Sequence, residues 1–96
     1  MLGVSNSAVP AAAAHLASEL RPVRVNAISP SIVDSGPYEA MPADQREALF
    51  TAVAGRLPAG RVATPDDIAD GVVYLLTSSY TTGETLNVDG GARHAA

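Results

Sequence analysis

The sequence predicts an α/β fold with parallel strands. Two short apolar runs, residues 23–28 and 84–88, each end in turn residues, as a buried strand followed by a loop does. The residues between them carry two helical patterns. A strand, a helical crossover and a second strand form a parallel βαβ unit, and the ligand sites of such sheets lie at the carboxyl ends of the strands.

The first predicted helix covers residues 7–20. Pro10 has no amide N–H and fits only the first turn of a helix, so this helix should begin near Ser7, which is a good N-cap. Pro22 ends it and leads into the first strand at residues 23–28. The apolar residues of this helix recur with helical spacing and would form one stripe: Val9, Ala13, Leu16 and Leu20.

A second helix is predicted after a loop over residues 29–41 that is rich in Ser, Pro and Gly. It should run from Pro42 to Ala54, because proline suits the first turn and Gly55 suits the end. Its apolar side comprises Leu49, Phe50 and Val53.

The third helix has the clearest beginning. Thr64 can cap it, Pro65 suits its first position, and the aspartates that follow favour the positive end of the helix dipole. A turn at residues 78–83 leads to the second strand, and residues 92–96 are expected to form a frayed tail. The apolar face of this helix comprises Ile68, Val72, Leu75 and Leu76.

The length and composition of the chain disfavour several classes of partner and binding site. Ninety-six residues allow one domain, and the net charge of −4 disfavours a nucleic-acid partner. The absence of cysteine excludes disulfides and Cys-based zinc sites and fits a reducing compartment, so we expect a cytoplasmic protein. No apolar run approaches the roughly 20 residues that span a membrane. All six cationic side chains are arginines.

Three stretches match a known family pattern in order and spacing. Residues 24–30 read Arg-Val-Asn-Ala-Ile-Ser-Pro, residues 57–69 contain Leu-Pro-Ala-Gly-Arg and Thr-Pro-Asp-Asp-Ile-Ala, and residues 82–91 end in Val-Asp-Gly-Gly. They resemble the sixth strand, the start of the last long helix and the seventh strand of short-chain dehydrogenases/reductases. These proteins move hydride between a nicotinamide cofactor and a carbonyl or alcohol. The resemblance implies the C-terminal part of a Rossmann-like doubly wound parallel sheet, a partial domain over residues 1–96 with no second domain.

Two motifs of that family have no counterpart. The chain lacks the glycine-rich Gly-x-x-x-Gly-x-Gly loop, whose backbone N–H groups bind phosphate. The Tyr-x-x-x-Lys positions fall near Leu2 and Asn6, and the chain has no lysine. Leucine cannot titrate, so the family's proton transfer is not available. We therefore expect no catalytic residues and an isolated chain that transfers no hydride.

The resemblance does imply cofactor contacts in the loop after the first strand: Pro30, Ser31, Ile32 and Ser35. Backbone groups near Ile32 and the hydroxyl of Ser35 would meet the nicotinamide carboxamide of NAD or NADP. Ser31 replaces a glycine and can restrict the backbone, and Ser35 replaces a threonine and keeps its hydroxyl. The alternative is an ordinary solvated loop. Weak or no binding is expected of the isolated chain, because the other walls of the pocket are missing.

Other polar residues are interpreted as structural. Asp34, Asp44 and Glu47 lack a further ligand at metal-binding spacing, so no metal site is expected. Ser29, Ser31 and Ser35 have no nearby His and Asp residues that could activate a serine as a nucleophile. His15 and His94 should be surface residues, and Tyr74 should pack within the third helix.

Two functional classes follow. The first is a truncated oxidoreductase, beginning within the family fold and ending where family members end. The second is a non-enzymatic association module, because the family's last helix, last strand and the helix before the sixth strand form subunit interfaces. Two strands alone leave open edges, so we expect a homo-oligomer or association with the remainder of the parent fold, with neither nucleic acid nor membrane as a partner.

Overall fold

The computed structural model describes the backbone of residues 2–95 and the side chains of residues 8–95. Its two strands lie parallel in one two-stranded sheet, which confirms the predicted α/β fold. None of the described helices is long and apolar enough to cross a membrane. The elements are α1 (Leu2–Glu19), β1 (Ala27–Pro30), α2 (Gly36–Glu39), α3 (Ala43–Ala54), α4 (Pro65–Thr77), β2 (Thr85–Val88) and a 3-10 helix (Ala92–His94).

Helix α1 begins at Leu2 and not near Ser7, so that prediction was wrong. Pro10 lies inside the helix, where it removes one hydrogen bond. The run of alanines that follows has the highest helix propensity and sustains the helix around it. The side chains of Leu2, Asn6 and Ser7 lie outside the described part of the chain, so their predicted correspondences stay predictions.

Several other boundaries differ from the predictions. β1 begins at Ala27 and not at Val23, and the loop after it contains the unpredicted short helix α2. The expected frayed tail was wrong in part, because residues 92–94 form a 3-10 helix. Helix α3 ends before Gly55 and α4 begins at Pro65, as predicted, but α3 begins at Ala43, with Pro42 at its N-cap and not within its first turn.

The chain divides into two compact units, and the first comprises residues 1–29 and 70–87. Gly83 lies against α1: its φ of 73° is left-handed, and a Cβ there would lie 3.5 Å from the Cβ of Ala17. Ala13 and Leu75 are buried in this unit. Val9, Leu16 and Leu20 of the predicted α1 stripe are exposed, as are Val72 and Leu76 of the predicted α4 face.

The second unit comprises residues 30–69 and 88–96. Leu57 is its buried apolar side chain, and Tyr38 packs edge-on against Phe50 with ring centroids 5.3 Å apart. The Val-Asp-Gly-Gly turn meets the Leu-Pro-Ala connector, because the N–H of Ala59 donates to the carbonyl of Gly90 at 2.9 Å. The two family-like motifs of this unit therefore form one packed contact.

Gly91 cannot carry a side chain without local rearrangement. Its φ is 85°, and a Cβ would lie 2.7 Å from Cγ of Pro58. We expect Gly91→Ala to lower the free energy of unfolding by at least 1–2 kcal/mol, roughly the left-handed penalty alone. Urea unfolding followed by circular dichroism measures the change.

Gly36→Ala is the matched control for this substitution. Its φ is not in the left-handed region, and a Cβ there meets nothing within 4 Å. An alanine at position 36 should leave stability unchanged or slightly higher, because it restricts the unfolded chain. Equal losses at positions 36 and 91 would contradict the steric argument.

Candidate functional site

The loop at the carboxyl end of β1 is anchored to the connector that precedes α4. Val33 and Ala63 form a parallel bridge. The N–H of Asp34 donates to the carbonyl of Ala63 at 2.8 Å, and the N–H of Ala63 donates to the carbonyl of Ile32 at 3.2 Å. These bonds hold the loop within the second unit and fix the backbone around Ile32.

The four predicted cofactor residues lie close together in the sequence: Pro30 is the last residue of β1, and the other three lie on this loop. Pro30 is exposed, whereas Ser31, Ile32 and Ser35 are half-buried. Ser35 precedes α2, and its carbonyl accepts a hydrogen bond from the N–H of Tyr38 at 2.9 Å. Its hydroxyl makes one long contact, 3.4 Å from the carbonyl of Val33, and does not cap the helix. That hydroxyl therefore keeps hydrogen-bonding capacity for a ligand.

The structure describes the backbone conformation of Ser31 and the surroundings of its hydroxyl. No described residue other than glycine has a positive φ, so the serine occupies its position without left-handed strain. Its Oγ is buried and has no hydrogen-bond partner. A buried unpaired hydroxyl lowers stability, and in this rotamer Oγ is shielded from any ligand.

The beginning of α4 carries a charged network. The guanidinium of Arg61 donates two hydrogen bonds to the Asp67 carboxylate, at 2.7 and 3.0 Å. The N–H of Thr64 donates to the same carboxylate at 2.8 Å, and the N–H of Asp67 donates back to the Thr64 hydroxyl at 3.3 Å. The reciprocal pair is a capping box that uses aspartate in place of glutamate.

This network shifts two pKa values. The hydrogen bond from Arg61, followed by that from the Thr64 backbone, holds the pKa of Asp67 well below its usual range. The same contact raises the pKa of Arg61. Both groups stay charged through the physiological range, so the network is a fixed clamp and not a proton donor.

Asp89 is a buried carboxylate that the sequence argument did not single out. It accepts a hydrogen bond from the N–H of Gly91 at 3.0 Å and pairs with Arg93 at 3.3 Å. The sequence did contain a signal for this role, since Asp89 lies between the end of a predicted strand and two glycines. A carboxylate in such a turn commonly accepts hydrogen bonds from the N–H groups of the turn. Its role in the described structure is to close the Val-Asp-Gly-Gly turn.

The remaining candidates are structural. Among residues 2–95, no group of three or more His, Cys, Asp or Glu side chains could hold a metal ion. His15 is exposed and lies 3.8 Å from Glu19, and His94 is exposed. The predicted packing of Tyr74 was wrong, since its side chain is exposed on α4.

The loop fits one end of a nicotinamide cofactor. A carboxamide offers N–H donors, and the Ser35 hydroxyl, whose own O–H donates to the Val33 carbonyl, keeps acceptor capacity for them. The other end of a dinucleotide carries phosphates, which need clustered backbone N–H groups. The sequence contains no Gly-x-x-x-Gly-x-Gly segment to supply them.

Comparison of the sequence with known proteins identifies the family to which the chain belongs. The family model described as Enoyl-(Acyl carrier protein) reductase matches residues 1–93. The chain belongs to the short-chain dehydrogenase/reductase family. A 3alpha-hydroxysteroid dehydrogenase of Mediterraneibacter gnavus is 41% identical over 73 residues, covering 74% of this chain and 28% of that protein. The 3-oxoacyl-[acyl-carrier-protein] reductase of Thermotoga maritima is 37% identical over 73 residues, with the same coverage of 74% and 28%.

Solved structures of the family agree with the fold. A small-chain dehydrogenase in complex with NADPH superimposes with a TM-score of 0.83 at 42% identity, covering 91% of this chain and 40% of that one. The aldohexose dehydrogenase of Thermoplasma acidophilum gives a TM-score of 0.85 at 25% identity, covering 97% and 40%. The chain thus spans less than half the length of these relatives and matches a partial Rossmann-like fold.

The unpaired hydroxyl of Ser31 leads to a stability prediction. Ser31→Ala removes a buried oxygen that has no hydrogen-bond partner and should raise the free energy of unfolding by about 1 kcal/mol. Urea unfolding measures the difference. Ser35→Ala removes a hydroxyl with a partner and should not stabilise the chain; a destabilising Ser31→Ala would mean that this hydroxyl is bonded after all.

The charged network leads to a pH prediction. Because folding lowers the pKa of Asp67, its stabilising contribution is complete above the unfolded value near 3.9 and is lost as pH falls through the lower folded pKa. Asp67→Asn should therefore be less stable than the wild type at pH 7, and the gap should narrow on acidification below about pH 4.

Asp66→Asn provides the control for that experiment. Asp66 lies in the same helical turn, and no ion pair to it is found among the described side chains. Thermal melts of both variants between pH 7 and pH 2.5 compare the two positions. A gap for Asp67→Asn that widens with acid would contradict the assignment.

Proposed function

We propose that this chain is the C-terminal part of an NAD(P)-dependent oxidoreductase of the short-chain dehydrogenase/reductase family. The observation that carries the proposal is the segment from Pro30, the last residue of β1, to Ser35, which lies at the carboxyl edge of the sheet and leaves the Ser35 hydroxyl with acceptor capacity. The relative that was solved with NADPH supports a dinucleotide ligand. A cytoplasmic location is part of the same proposal.

The binding roles within this site belong to four residues. Pro30 ends the strand, Ser31 and Ile32 supply backbone groups, and the Ser35 hydroxyl orients the nicotinamide carboxamide. The bound cofactor supplies the hydride. Both NAD and NADP remain candidate cofactors in this proposal, because the residue that selects between them in the family follows a strand outside this sequence.

The isolated chain is proposed to transfer no hydride. It has no lysine and no phosphate-binding glycine loop, so neither the proton transfer nor the phosphate contacts of the family are available. Cofactor affinity should be weak or absent for the same reason. The proposed partner for activity is the remainder of the family fold.

A chimera tests the proposed role of the loop. We expect activity when residues 8–96 replace the matching segment of the Thermotoga maritima reductase, which keeps its own residues upstream of the junction. In that chimera Ser35→Ala should raise the KM for NADPH about five-fold, the equivalent of one hydrogen bond of about 1 kcal/mol. Steady-state assays of NADPH oxidation measure it.

Controls separate cofactor binding from folding. Ser79→Ala, at an exposed serine in the turn after α4, should leave the KM unchanged. The unfused chain should show the same melting temperature with and without millimolar NADH or NADPH, whereas saturating binding would raise it. A clear rise for the unfused chain, or an unchanged KM for Ser35→Ala, would overturn the respective part of the proposal.

A second candidate function is a non-enzymatic association module. The exposed side chains of Val73 and Tyr74 on α4 favour it, since large apolar residues on an outer helix face are typical of interfaces. This candidate uses the family's interface elements, namely α4, β2 and α1. Stable self-association without cofactor affinity would distinguish it from the first.

A further inference from the structure

Ala63 joins the connector before α4 to the loop after β1 through its two backbone groups. The N–H of Ala63 donates to the carbonyl of Ile32, and the carbonyl of Ala63 accepts from the N–H of Asp34 at 2.8 Å. All of these residues lie within the second unit. The position of the loop backbone therefore depends on the two peptide groups that flank the Cα atom of Ala63.

The first of these peptide groups is bonded to Arg61. It consists of the carbonyl of Val62 and the N–H of Ala63, and the guanidinium of Arg61 donates to that carbonyl at 3.2 Å. A charged donor on the carbonyl polarises the peptide group and makes its N–H a stronger donor. Arg61 therefore strengthens the hydrogen bond that Ala63 donates to Ile32.

The second peptide group is bonded to Asp67. It consists of the carbonyl of Ala63 and the N–H of Thr64, and this N–H donates to the Asp67 carboxylate at 2.8 Å. A carboxylate bonded to the N–H makes the carbonyl of the same peptide group a stronger acceptor. Asp67 therefore strengthens the hydrogen bond that Ala63 accepts from Asp34.

The two charged side chains are also bonded to each other. Arg61 donates two hydrogen bonds to the Asp67 carboxylate, and this bidentate geometry is the one in which an exposed ion pair contributes measurably. Together with the two peptide groups, the pair closes a ring of contacts around the backbone of residues 62–64. Loss of Arg61 therefore weakens both peptide contacts, because the carboxylate then loses the partner that fixes its position.

The loop bonded to Ala63 carries the groups that are proposed to meet the cofactor. Val33 forms the bridge to Ala63, and its carbonyl accepts from the Ser35 hydroxyl at 3.4 Å. Ile32 and Ser35 lie one and two residues from this bridge. A shift of Ala63 would displace both groups together, and a misplacement of about 1 Å is enough to impair a positioned group.

We propose that Arg61 and Asp67 are positioning residues for the nicotinamide cofactor. Neither side chain touches the cofactor; each is bonded to a peptide group of Ala63 and thereby sets where Ile32 and Ser35 lie. The cofactor part of this proposal rests on the proposed function. Its structural part, control of the loop by the ion pair, concerns the chain without a ligand.

Amide hydrogen exchange of the full chain tests the structural part. Arg61→Gln removes the charge and the bidentate pair, and should lower the protection of the Asp34 and Ala63 N–H groups about three-fold, which is typical of an exposed ion pair. The N–H of Ala59, bonded to the carbonyl of Gly90 in the same unit, should keep its protection. An equal loss at all three N–H groups would show a general loss of stability and would overturn the proposal.

Arg56→Gln is the matched control for this substitution. Arg56 is exposed in the same connector, and no ion pair to it is found among the side chains of residues 8–95, so its loss should change none of the three N–H groups. Arg61→Lys keeps the charge without the bidentate geometry and should cause a smaller loss at the same two N–H groups. If Arg61→Gln does not fold, Arg61→Lys decides by the same criterion.

Steady-state kinetics of the Thermotoga maritima chimera test the cofactor part. Arg61→Gln should raise the KM for NADPH about three-fold and leave kcat unchanged, because Arg61 positions the binding loop and takes no part in the chemistry. An unchanged KM for Arg61→Gln beside a raised KM for Ser35→Ala would overturn this proposal alone. An unchanged KM for both variants would overturn the proposed function of the loop and, with it, the cofactor part of this proposal.

Discussion

The contact of Arg24 with the end of α4 is the constraint on which the first unit depends. The last carbonyls of a helix have no partners within the helix, and a cation there also meets the negative end of its dipole. Arg24 supplies both, while the Asn26 side chain donates to the carbonyl of Thr81 at 3.0 Å and accepts from the N–H of Glu84 at 3.1 Å. Two neighbouring side chains thus fix where α4 ends and in which register β2 begins.

The hydrogen bonds of the second unit hold its loop and helix start in place but provide no group for proton transfer. Its hydrogen bonds fix the loop after β1, and the Arg61–Asp67 clamp fixes the start of α4, yet neither supplies a group that titrates near neutral pH. A protein of this family needs such a group and a phosphate cradle for turnover. The hydrogen bonds and the clamp of this unit therefore hold the backbone in place and supply neither of these groups.

Local signals made part of this structure predictable. Capping residues and the proline at its first position located α4, and the three motifs gave the fold and the family. Burial depends on distant residues and could not be predicted in the same way. Helical spacing placed Leu16 and Val72 on apolar faces, but a residue is buried only when another element covers it, and both are exposed. Likewise the unpaired Ser31 hydroxyl has no sequence signature, because its surroundings come from elsewhere in the second unit.

The parallel sheet also constrains the order in which the chain can fold. Asn26 and Glu84 are joined by a hydrogen bond across 58 residues, and closing a loop of that length costs on the order of 4 kcal/mol in chain entropy. Helices can form from local contacts, but the pairing of β1 with β2 must wait until β2 exists. During synthesis on the ribosome, this pairing therefore waits until residue 88 has emerged, and it forms after the local helices.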